Sequence, residues 1–428
     1  MPSTTSREGS ESVLVIGGGI TGITAALEVA EAGAQVYLVE QDPHLGGRVA
    51  QLARYFPKLC PPTCGLEINF QRLRDNQSIR VFTTSEVQDL GGRPGHYRVT
   101  IRRHPRYVND RCTACGVCAP VCPVERPNRF DYGMSSTKAI YLGHEMAYPM
   151  RYSIDDSACL FEECGKCVEV CPYQAIDLHM EATTVELEVG AVIMATGWHP
   201  YDASAITNLA FQHHPDVVTN VMFERMLAEN GPTQGHVLRP SDGTPVRSAA
   251  FVQCAGSRDR LHLPYCSGIC CLASLKEASL LLERNPEARA HVFYIDLRTP
   301  GTYQAFATKV LDRPQVRAVK GKVADILADP ASGQLLVVAD DMVGGRMERT
   351  PVDLVVLATG MVPNPGPGGP LGAEALGAFG FFADSISGEG VFAAGCARAP
   401  VDVATSTLDA TAAAMRALGV VRGARVGA

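Results

Sequence analysis

Residues 12–40 read SVLVIGGGITGITAALEVAEAGAQVYLVE, and this stretch decides the fold. Ser12 to Ile16 is a near-continuous apolar run, the pattern of a strand buried on both faces of a parallel sheet. It runs into Gly17-x-Gly19-x-x-Gly22, and the helical stretch that follows closes at Gly33. QVYLVE then reads as a second strand ending at Glu40. Strand, glycine turn, helix and strand make a βαβ unit. Such glycines permit a tight turn and close approach of backbone to a pyrophosphate at the positive end of a helix. An acidic residue at the end of the second strand accepts hydrogen bonds from ribose hydroxyls. Gly17, Gly19, Gly22 and Glu40 are therefore candidate dinucleotide-binding residues.

The chain has 428 residues, enough for two to three domains at roughly 150 residues each. It is 46% hydrophobic, 19% charged and 7% aromatic, which excludes a disordered chain. A net charge of −7 excludes a broad basic face for nucleic acid. No apolar run approaches the ~20 residues of a membrane span. The polar start, MPSTTSREGSES, lacks the apolar core of a signal peptide. The expectation is a cytoplasmic protein. Fifteen cysteines are many for such a chain. A reducing compartment disfavours structural disulfides, so clustered cysteines point to metal or redox groups.

Cys112-x2-Cys115-x2-Cys118-x3-Cys122-Pro123 is the bacterial ferredoxin run, whose fourth cysteine ligates the other cluster where two are present. Cys159-x4-Cys164-x2-Cys167-x3-Cys171-Pro172 repeats it with a wider first gap. Two 4Fe–4S clusters are expected, one on Cys112, Cys115, Cys118 and Cys171, the other on Cys159, Cys164, Cys167 and Cys122. Soft thiolates also suit zinc, but zinc sites usually pair two CxxC units across a longer spacer. Cys254, Cys266, Cys270 and Cys271 stand between a strand over 249–254 and a helix from about 271. A second nucleotide domain would carry its own Gly-rich loop there, and no GxGxxG is present. The group reads as a third cluster site in place of a nicotinamide site, with a redox dithiol or plain packing as alternatives. Cys60 and Cys64 lie in the rigid loop RYFPKLCPPTCGLEINF. They are the candidates for direct redox catalysis, for completing a cluster, or for flanking the cofactor; small buried residues are the other reading.

ELEVGAVIMATGWHP (186–200), AAFVQCAGS (249–257), HVFYIDLRT (291–299), VDLVVLATG (352–360) and GVFAAGCA (390–397) read as further strands, and 402–420 as the closing helix. VIMATG and VVLATG echo one another. With QDPHLGGRVAQL (41–52), these segments resemble the two-dinucleotide-binding-domain flavoproteins of thioredoxin-reductase type. The resemblance implies FAD in the first site, with Gly47, Arg48, Thr196, Gly197, Gly395 and Cys396 beside it. That family usually has Asp where Cys396 stands. The fold class is thus α/β, a two-dinucleotide-binding-domain flavoprotein with an inserted α+β double-cluster ferredoxin module. The FAD-binding domain is expected over 12–104, continuing together with a connection over 178–248, and over 351–428. The ferredoxin-like insert is expected over 105–177, and a second nucleotide-domain-like unit over 249–350. His213 and His214 read as a solvated loop, Trp198 as packing or a ring on the cofactor, and Lys276 and Glu277 as the exposed face of a helix.

A narrower resemblance rests on longer segments. QCAGSRDRLHLPYCSGICCLASLKEA, and the double-ferredoxin insert with KAIYLGHEMAYPMRYSID between its cysteine runs, are similar to the flavin subunit of heterodisulfide reductase (HdrA). LGGRVAQLARYFPKLCPPTCGLEINFQRL looks still more like the flavin subunit (QmoA) of the quinone-interacting membrane-bound oxidoreductase, Qmo. The resemblance covers essentially residues 12–420. It implies an oxidoreductase subunit that does not use NAD(P)H on its own, holding FAD, two 4Fe–4S clusters and a third at the 254–271 group. It implies partner subunits of a Qmo- or heterodisulfide-reductase-like complex, among them a membrane subunit that binds quinone. Adenylylsulfate reductase is the electron partner so implied, with the chain peripheral at the inner face of the membrane. The alternative in the same family is a subunit of a soluble sulfur-oxidising or heterodisulfide/polysulfide reductase complex, with a bifurcating flavin in some members. Outside it stand an NAD(P)H-dependent disulfide reductase, which needs a second GxGxxG, and a zinc-bearing scaffold with an inert flavin.

Overall fold

The computed structural model describes residues 10–364, 371–372, 375–383 and 390–423. β1 (Ser12–Ile16) is buried along its length, α1 (Ile20–Glu31) follows the glycine turn, and β2 (Gln35–Val39) returns parallel to β1. α2 (Thr63–Asp75), β3 (Ile79–Phe82) and the hairpin of β4 (Ser85–Arg93) and β5 (His96–Arg103) complete the first stretch. The insert runs through α3 (Cys118–Val121), β6 (Glu125–Pro127), β7 (Ser136–Lys138), β8 (Ile140–Tyr141), β9 (Ser153–Ile154) and α4 (Lys166–Val170). β10 (Thr183–Val189) then pairs antiparallel with β5 from its first residue, Thr183 opposite Arg103. The insert therefore leaves and re-enters at the open end of one strand pair, and the parent sheet stays intact.

β11 (Ala191–Met194) and β12 (Trp198–Pro200) follow. The second domain holds β13 (Val217–Thr219), α5 (Asn220–Leu227), β14 (Ser248–Ala255), α6 (Cys270–Arg284), β15 (Arg289–Tyr294), α7 (Tyr303–Leu311) and β16 (Val316–Lys320). Its antiparallel meander is β17 (Val323–Ala328), β18 (Leu335–Asp341) and β19 (Arg346–Val352), and β20 (Leu354–Thr359) returns to its main sheet. β21 (Met361–Pro363), β22 (Val391–Ala393) and α8 (Val403–Val421) close the fold.

Two five-stranded parallel sheets result, β22-β11-β1-β2-β3 and β13-β20-β14-β15-β16. β11 and β20 are buried at every residue, as strands of sheets covered on both faces must be. α8 lies on α1 through Ala410, Ala413, Ala414 and Ala417, side chains small enough to let two helices approach closely. None of the described helices is long and apolar enough to cross a membrane.

The domain bounds differ from the sequence reading at two places. Residues 217–227, within the stretch read as FAD-binding continuation and connection, and 354–359, read as FAD-binding domain, form β13, α5 and β20 of the second domain. Periodicity does not say which sheet a continuous apolar run joins. The echo VIMATG/VVLATG has a structural meaning instead. β11 and β20 belong to different sheets, and each chain then passes into the two-stranded link β12–β21, where Trp198 stands opposite Pro363. The repeated segments are the two crossings between domains. Parts of the expected 351–428 stretch lie outside the described residues.

Arg225 of α5 is 1% exposed. Its Nε donates to Asp131 of the insert at 2.8 Å, one Nη to the Gln51 carbonyl of the first domain at 3.3 Å, and the other to Asn230. The guanidinium also lies 4.6 Å over the Phe130 ring. Removing one partner of a buried pair strands the other charge at a cost of about 3–5 kcal/mol. Asp131→Ala is expected to lower the free energy of unfolding by about that amount, read by urea titration of the whole chain. A loss below about 1 kcal/mol, the scale of an exposed pair, would show that the pair does not hold the domains together.

Candidate functional site

A cavity of about 490 Å³ lies where the three domains meet. The glycine turn is its floor. Gly17 has φ 110°, and a Cβ there would strike the Ala195 carbonyl, while one on Gly22 would strike the Gly17 carbonyl. Gly17, Gly19 and Gly47 face the space, and Gly22 lets the helix start directly beneath it. Glu40 is buried; its carboxylate accepts the Gly18 N–H at 2.6 Å and the Asp42 N–H at 2.8 Å. Burial first, then Asp42, pushes this carboxyl up to about 7.

Arg48 spans the opening. Its Nε donates to the Trp198 carbonyl at 3.2 Å, and an Nη to the Tyr132 hydroxyl at 3.0 Å and to Gln51 at 3.1 Å. Thr196 and Gly197 form the rim. The Thr196 hydroxyl donates to the Asn364 carbonyl at 3.0 Å, and its carbonyl accepts the Asn364 side chain at 2.9 Å. Cys396 is buried in the wall, its thiol donating to the Val401 carbonyl at 3.4 Å, and burial raises its pKa. Gly395 (φ 60°) stands behind the wall, where a Cβ would strike the Thr21 hydroxyl. Glycine backbone, a helix N-terminus and a strand-end carboxylate facing one long space fit a dinucleotide.

One wall was not foreseen. Lys276 and Glu277, expected on an exposed helix face, are 3% and 0% exposed, and both line the cavity with Glu224 of α5. Lys276 pairs with Glu224 and donates to the Arg54 carbonyl at 2.7 Å. Glu224 also accepts the Ala53 N–H at 3.0 Å. Among the described residues no N–H or hydroxyl donor reaches Glu277, whose carboxyl meets that of Glu224. Burial first, and the neighbouring Glu224, raise it well above the ordinary carboxylate range. The signal lay in CLASLKEASLLL: a helix apolar on nearly every side is buried, and its charged pair with it. On the insert side burial lowers His44 to about 3 and His144 to about 4, so both rings are neutral. Trp198 also faces the cavity. His214 is half-buried and accepts the Asp216 N–H at 3.1 Å.

The insert brings its two cysteine runs together crosswise. One small apolar cavity is lined by Cys112, Cys115 and Cys118 with Cys171, the other by Cys159, Cys164 and Cys167 with Cys122. α3 and α4 each end at the fourth cysteine of a run, where the backbone turns extended. Proline follows both times, and a residue before proline is pushed out of the helical region. That turn carries each fourth thiol to the other run. Cys118 and Cys167 sit in the insert's own core with Ile140 and Ile154. Burial pushes their thiols up to about 12 and about 11. The Phe161 N–H donates to Cys159 Sγ at 3.4 Å and the Ala175 N–H to Cys171 Sγ at 3.3 Å, the kind of bond that tunes a cluster's potential. Among the described residues no three such side chains close on a point as ligands of a single metal ion would. The thiols stand around a space.

The third group stands at the C-terminal ends of the second sheet. Cys254 lies in β14 at φ 57°, and Cys270 and Cys271 open α6. Cys266 accepts the Gly268 N–H at 3.3 Å. Burial first, then Cys271, Cys254 and Cys266, raise Cys270, so the four thiols feel one another. Cys60 is half-buried and Cys64 exposed. Neither lines the dinucleotide cavity or either four-cysteine cavity.

Residues 12–77 match the model of FAD dependent oxidoreductases, and residues 105–125 that of 4Fe-4S binding domains. The chain is 35% identical over 427 residues to the A-type subunit of the H2:CoB-CoM heterodisulfide,ferredoxin reductase of Methanothermobacter marburgensis. It is 37% identical over 424 residues to the A-type iron-sulfur subunit of the CoB–CoM heterodisulfide reductase of Methanocaldococcus jannaschii. Each match covers 95% of this chain, which spans only 63% and 64% of the relatives' lengths. Among solved structures it is similar to thioredoxin reductase of Lactococcus lactis (TM-score 0.53, 12% identity, 97% of this chain and 100% of that one). A second is thioredoxin reductase of T. acidophilum (TM-score 0.52, 12% identity, 96% and 99%). The fold is thioredoxin-reductase-like, and the chain carries an FAD-dependent oxidoreductase domain with a 4Fe–4S binding domain set into it.

Two outcomes follow from this geometry. Cys171→Ser is expected to remove the cluster of the Cys112 run, not that of its own run, with iron falling by about 4 per chain. Electron paramagnetic resonance identifies which signal remains, and loss of the Cys159-run signal instead would break the crosswise pairing. Glu40 binds its proton more tightly folded than unfolded, so stability of the FAD-free chain falls as pH rises from 4.5 to about 7. Glu40→Gln is expected to flatten that slope in melting curves at pH 5 and 8 while weakening FAD binding.

Proposed function

We propose that the chain is an FAD- and iron–sulfur-containing electron-transfer subunit of a heterodisulfide-reductase-like complex. The observation that carries this reading is the succession of sites in one body. A dinucleotide cavity lies at the junction of three domains, and two four-cysteine cavities lie in the insert beside it. Four more cysteines stand at the strand ends of the second sheet, where a nicotinamide domain would hold its nucleotide.

Gly17, Gly19, Glu40, Gly47, Arg48, Thr196, Gly197 and Cys396 would hold FAD, with Gly22 and Gly395 shaping the wall behind. Bound there, FAD supplies exchange between two-electron and one-electron partners. Lys276 and Glu224 set an ion pair in the wall, whose cationic end favours any negative charge gained on reduction. Glu277, its carboxyl held by burial well above the ordinary carboxylate range, stands in the same wall. Neutral His44 and His144, with Phe130 stacked on His144 at 5.1 Å, keep water from the insert side. The ferredoxin cysteines would hold two 4Fe–4S clusters and the 254–271 group a third.

Within that family we read the chain as Qmo-type, on the resemblance of LGGRVAQLARYFPKLCPPTCGLEINFQRL. Its complex then includes a membrane subunit that meets the quinone pool, adenylylsulfate reductase is the electron partner, and the chain is peripheral to the inner face of the membrane. A subunit of a soluble sulfur-oxidising or heterodisulfide/polysulfide reductase complex is the other reading, and the names of the curated relatives support its heterodisulfide form.

The test uses anaerobically purified protein. About 8 iron per FAD means two clusters and about 12 means three, at four iron per cubane. No bleaching by NADH is expected. Zinc in place of iron, or rapid bleaching by NADH, would overturn the proposal. Electron exchange with adenylylsulfate reductase, but not with a heterodisulfide, separates the Qmo-type reading from the other. Lys276→Met is expected to lower the flavin midpoint potential with iron content unchanged, read by redox titration.

A further inference from the structure

Ile140 is the one residue that walls both four-cysteine cavities. Its neighbour in β8, Tyr141, lines the FAD cavity, as alternation of side chains along a strand directs. Ile154, opposite Ile140 in β9, walls the cavity of Cys122 and the Cys159 run. Two cations stand at this corner, Arg129, which also lines the FAD cavity, and Arg126. Arg126 lines the FAD cavity and lies 4.3 Å over the Tyr141 ring. It pairs with Asp155 at 3.2 Å, the two side chains 10% and 11% exposed. Val124, two residues before it, walls the Cys122 cavity, and the Asp155 carbonyl accepts the Cys159 N–H at 3.0 Å.

The other cysteine cavity has a buried arginine of its own. Arg106 is 5% exposed and donates to the carbonyl of Tyr152 at 3.0 Å, a residue that walls the cavity of the Cys112 run. Arg106 is not among the residues lining the FAD cavity. Of these two arginines, Arg126 alone lines the FAD cavity.

We propose that Arg126 is a positioning residue of the electron path, the buried charge that couples FAD to the cluster of Cys122, Cys159, Cys164 and Cys167 across β8. This rests on the reading that the insert holds two clusters. One electron passing from flavin to cluster oxidises the first by one unit and reduces the second by one, with no bond made or broken. A fixed cation in a low-dielectric wall stabilises whichever neighbour holds the extra negative charge. Asp155, paired with Arg126 at 3.2 Å, offsets part of that charge.

The experiment is a redox titration of the intact anaerobic protein, following flavin absorbance and the paramagnetic signal of each cluster. Cys171→Ser and Cys122→Ser assign the signals. Arg126→Gln is expected to shift the flavin and the Cys159-run cluster to lower potential and leave the Cys112-run cluster in place. Asp155→Asn is expected to shift the same pair upward, and Arg126→Lys to restore the parent values. Equal shifts in both clusters, or none in variants that keep full FAD and iron, would overturn the proposal. If Arg126→Gln does not fold, Asp155→Asn and Arg126→Lys carry the same comparison. Parent protein without iron in the insert would instead sink the two-cluster reading, and this proposal with it.

Discussion

A buried guanidinium holds the site together. Arg225 reaches Asp131 in the insert and the Gln51 carbonyl in the first domain from a helix of the second. Two neighbours grip the same segment: Glu224 accepts the Ala53 N–H, and Lys276 donates to the Arg54 carbonyl. Residues 51–54 continue the short helix Gly47–Gln51, which is itself cavity wall. The second domain thus holds the FAD cavity's wall by backbone atoms, whatever the side chains there. Burying Arg225, Lys276, Glu224 and Glu277 together costs desolvation that pairing only partly offsets. The gain is a fixed geometry more than stability, and Glu277 marks where the pairing is left incomplete.

The two parallel sheets use one position for different chemistry. In each, one residue at the C-terminal end of a central strand takes the left-handed conformation. Gly17 does so with φ 110° and Cys254 with φ 57°. Glycine makes that turn at little cost and leaves room for a phosphate. A side chain there costs on the order of 1–3 kcal/mol, and such strain gathers at functional sites. In the second sheet the strained residue is a cysteine, turned toward Cys266, Cys270 and Cys271. The nucleotide-type scaffold is kept while the group at its strand ends changes from glycine backbone to thiols.

What could be read from sequence was what is local. The glycine turn and each cysteine run are set by spacings of a few residues, and the crosswise sharing follows from Cys-Pro, since proline ends the helix at the fourth thiol. The sheet membership of β13 and β20 was not local: two apolar strands of equal character pair in different sheets, and only the long-range register separates them. Lys276 and Glu277 were misread because charge was weighed above the apolar sequence around the rest of α6. Cys60 and Cys64 show the converse. Their residue type suggested redox chemistry, but the stretch read as one rigid loop is a loop only to Pro62: α2 begins at Thr63 and holds Cys64, exposed, in its first turn, while Cys60 stands half-buried before it.

The insert raises a problem that its tether does not solve. It joins the parent at one strand end, between β5 and β10, and such an attachment leaves rotation free. Its core is small and includes Cys118 and Cys167 themselves, so the module's packing and its metal sites are one structure. Orientation comes from elsewhere. Arg106 donates to Thr83 of the first domain at 3.0 Å, Arg48 of that domain donates to Tyr132 at 3.0 Å, and Arg225 of the second donates to Asp131 at 2.8 Å. Three bonds at separate points on a rigid body remove its rotation. The planar, permanently charged fork of arginine suits that task, because it holds a direction as well as a distance. β8 then lies between two cysteine cavities and the FAD cavity by construction, and its place does not depend on the flexibility of the strand end from which the insert hangs.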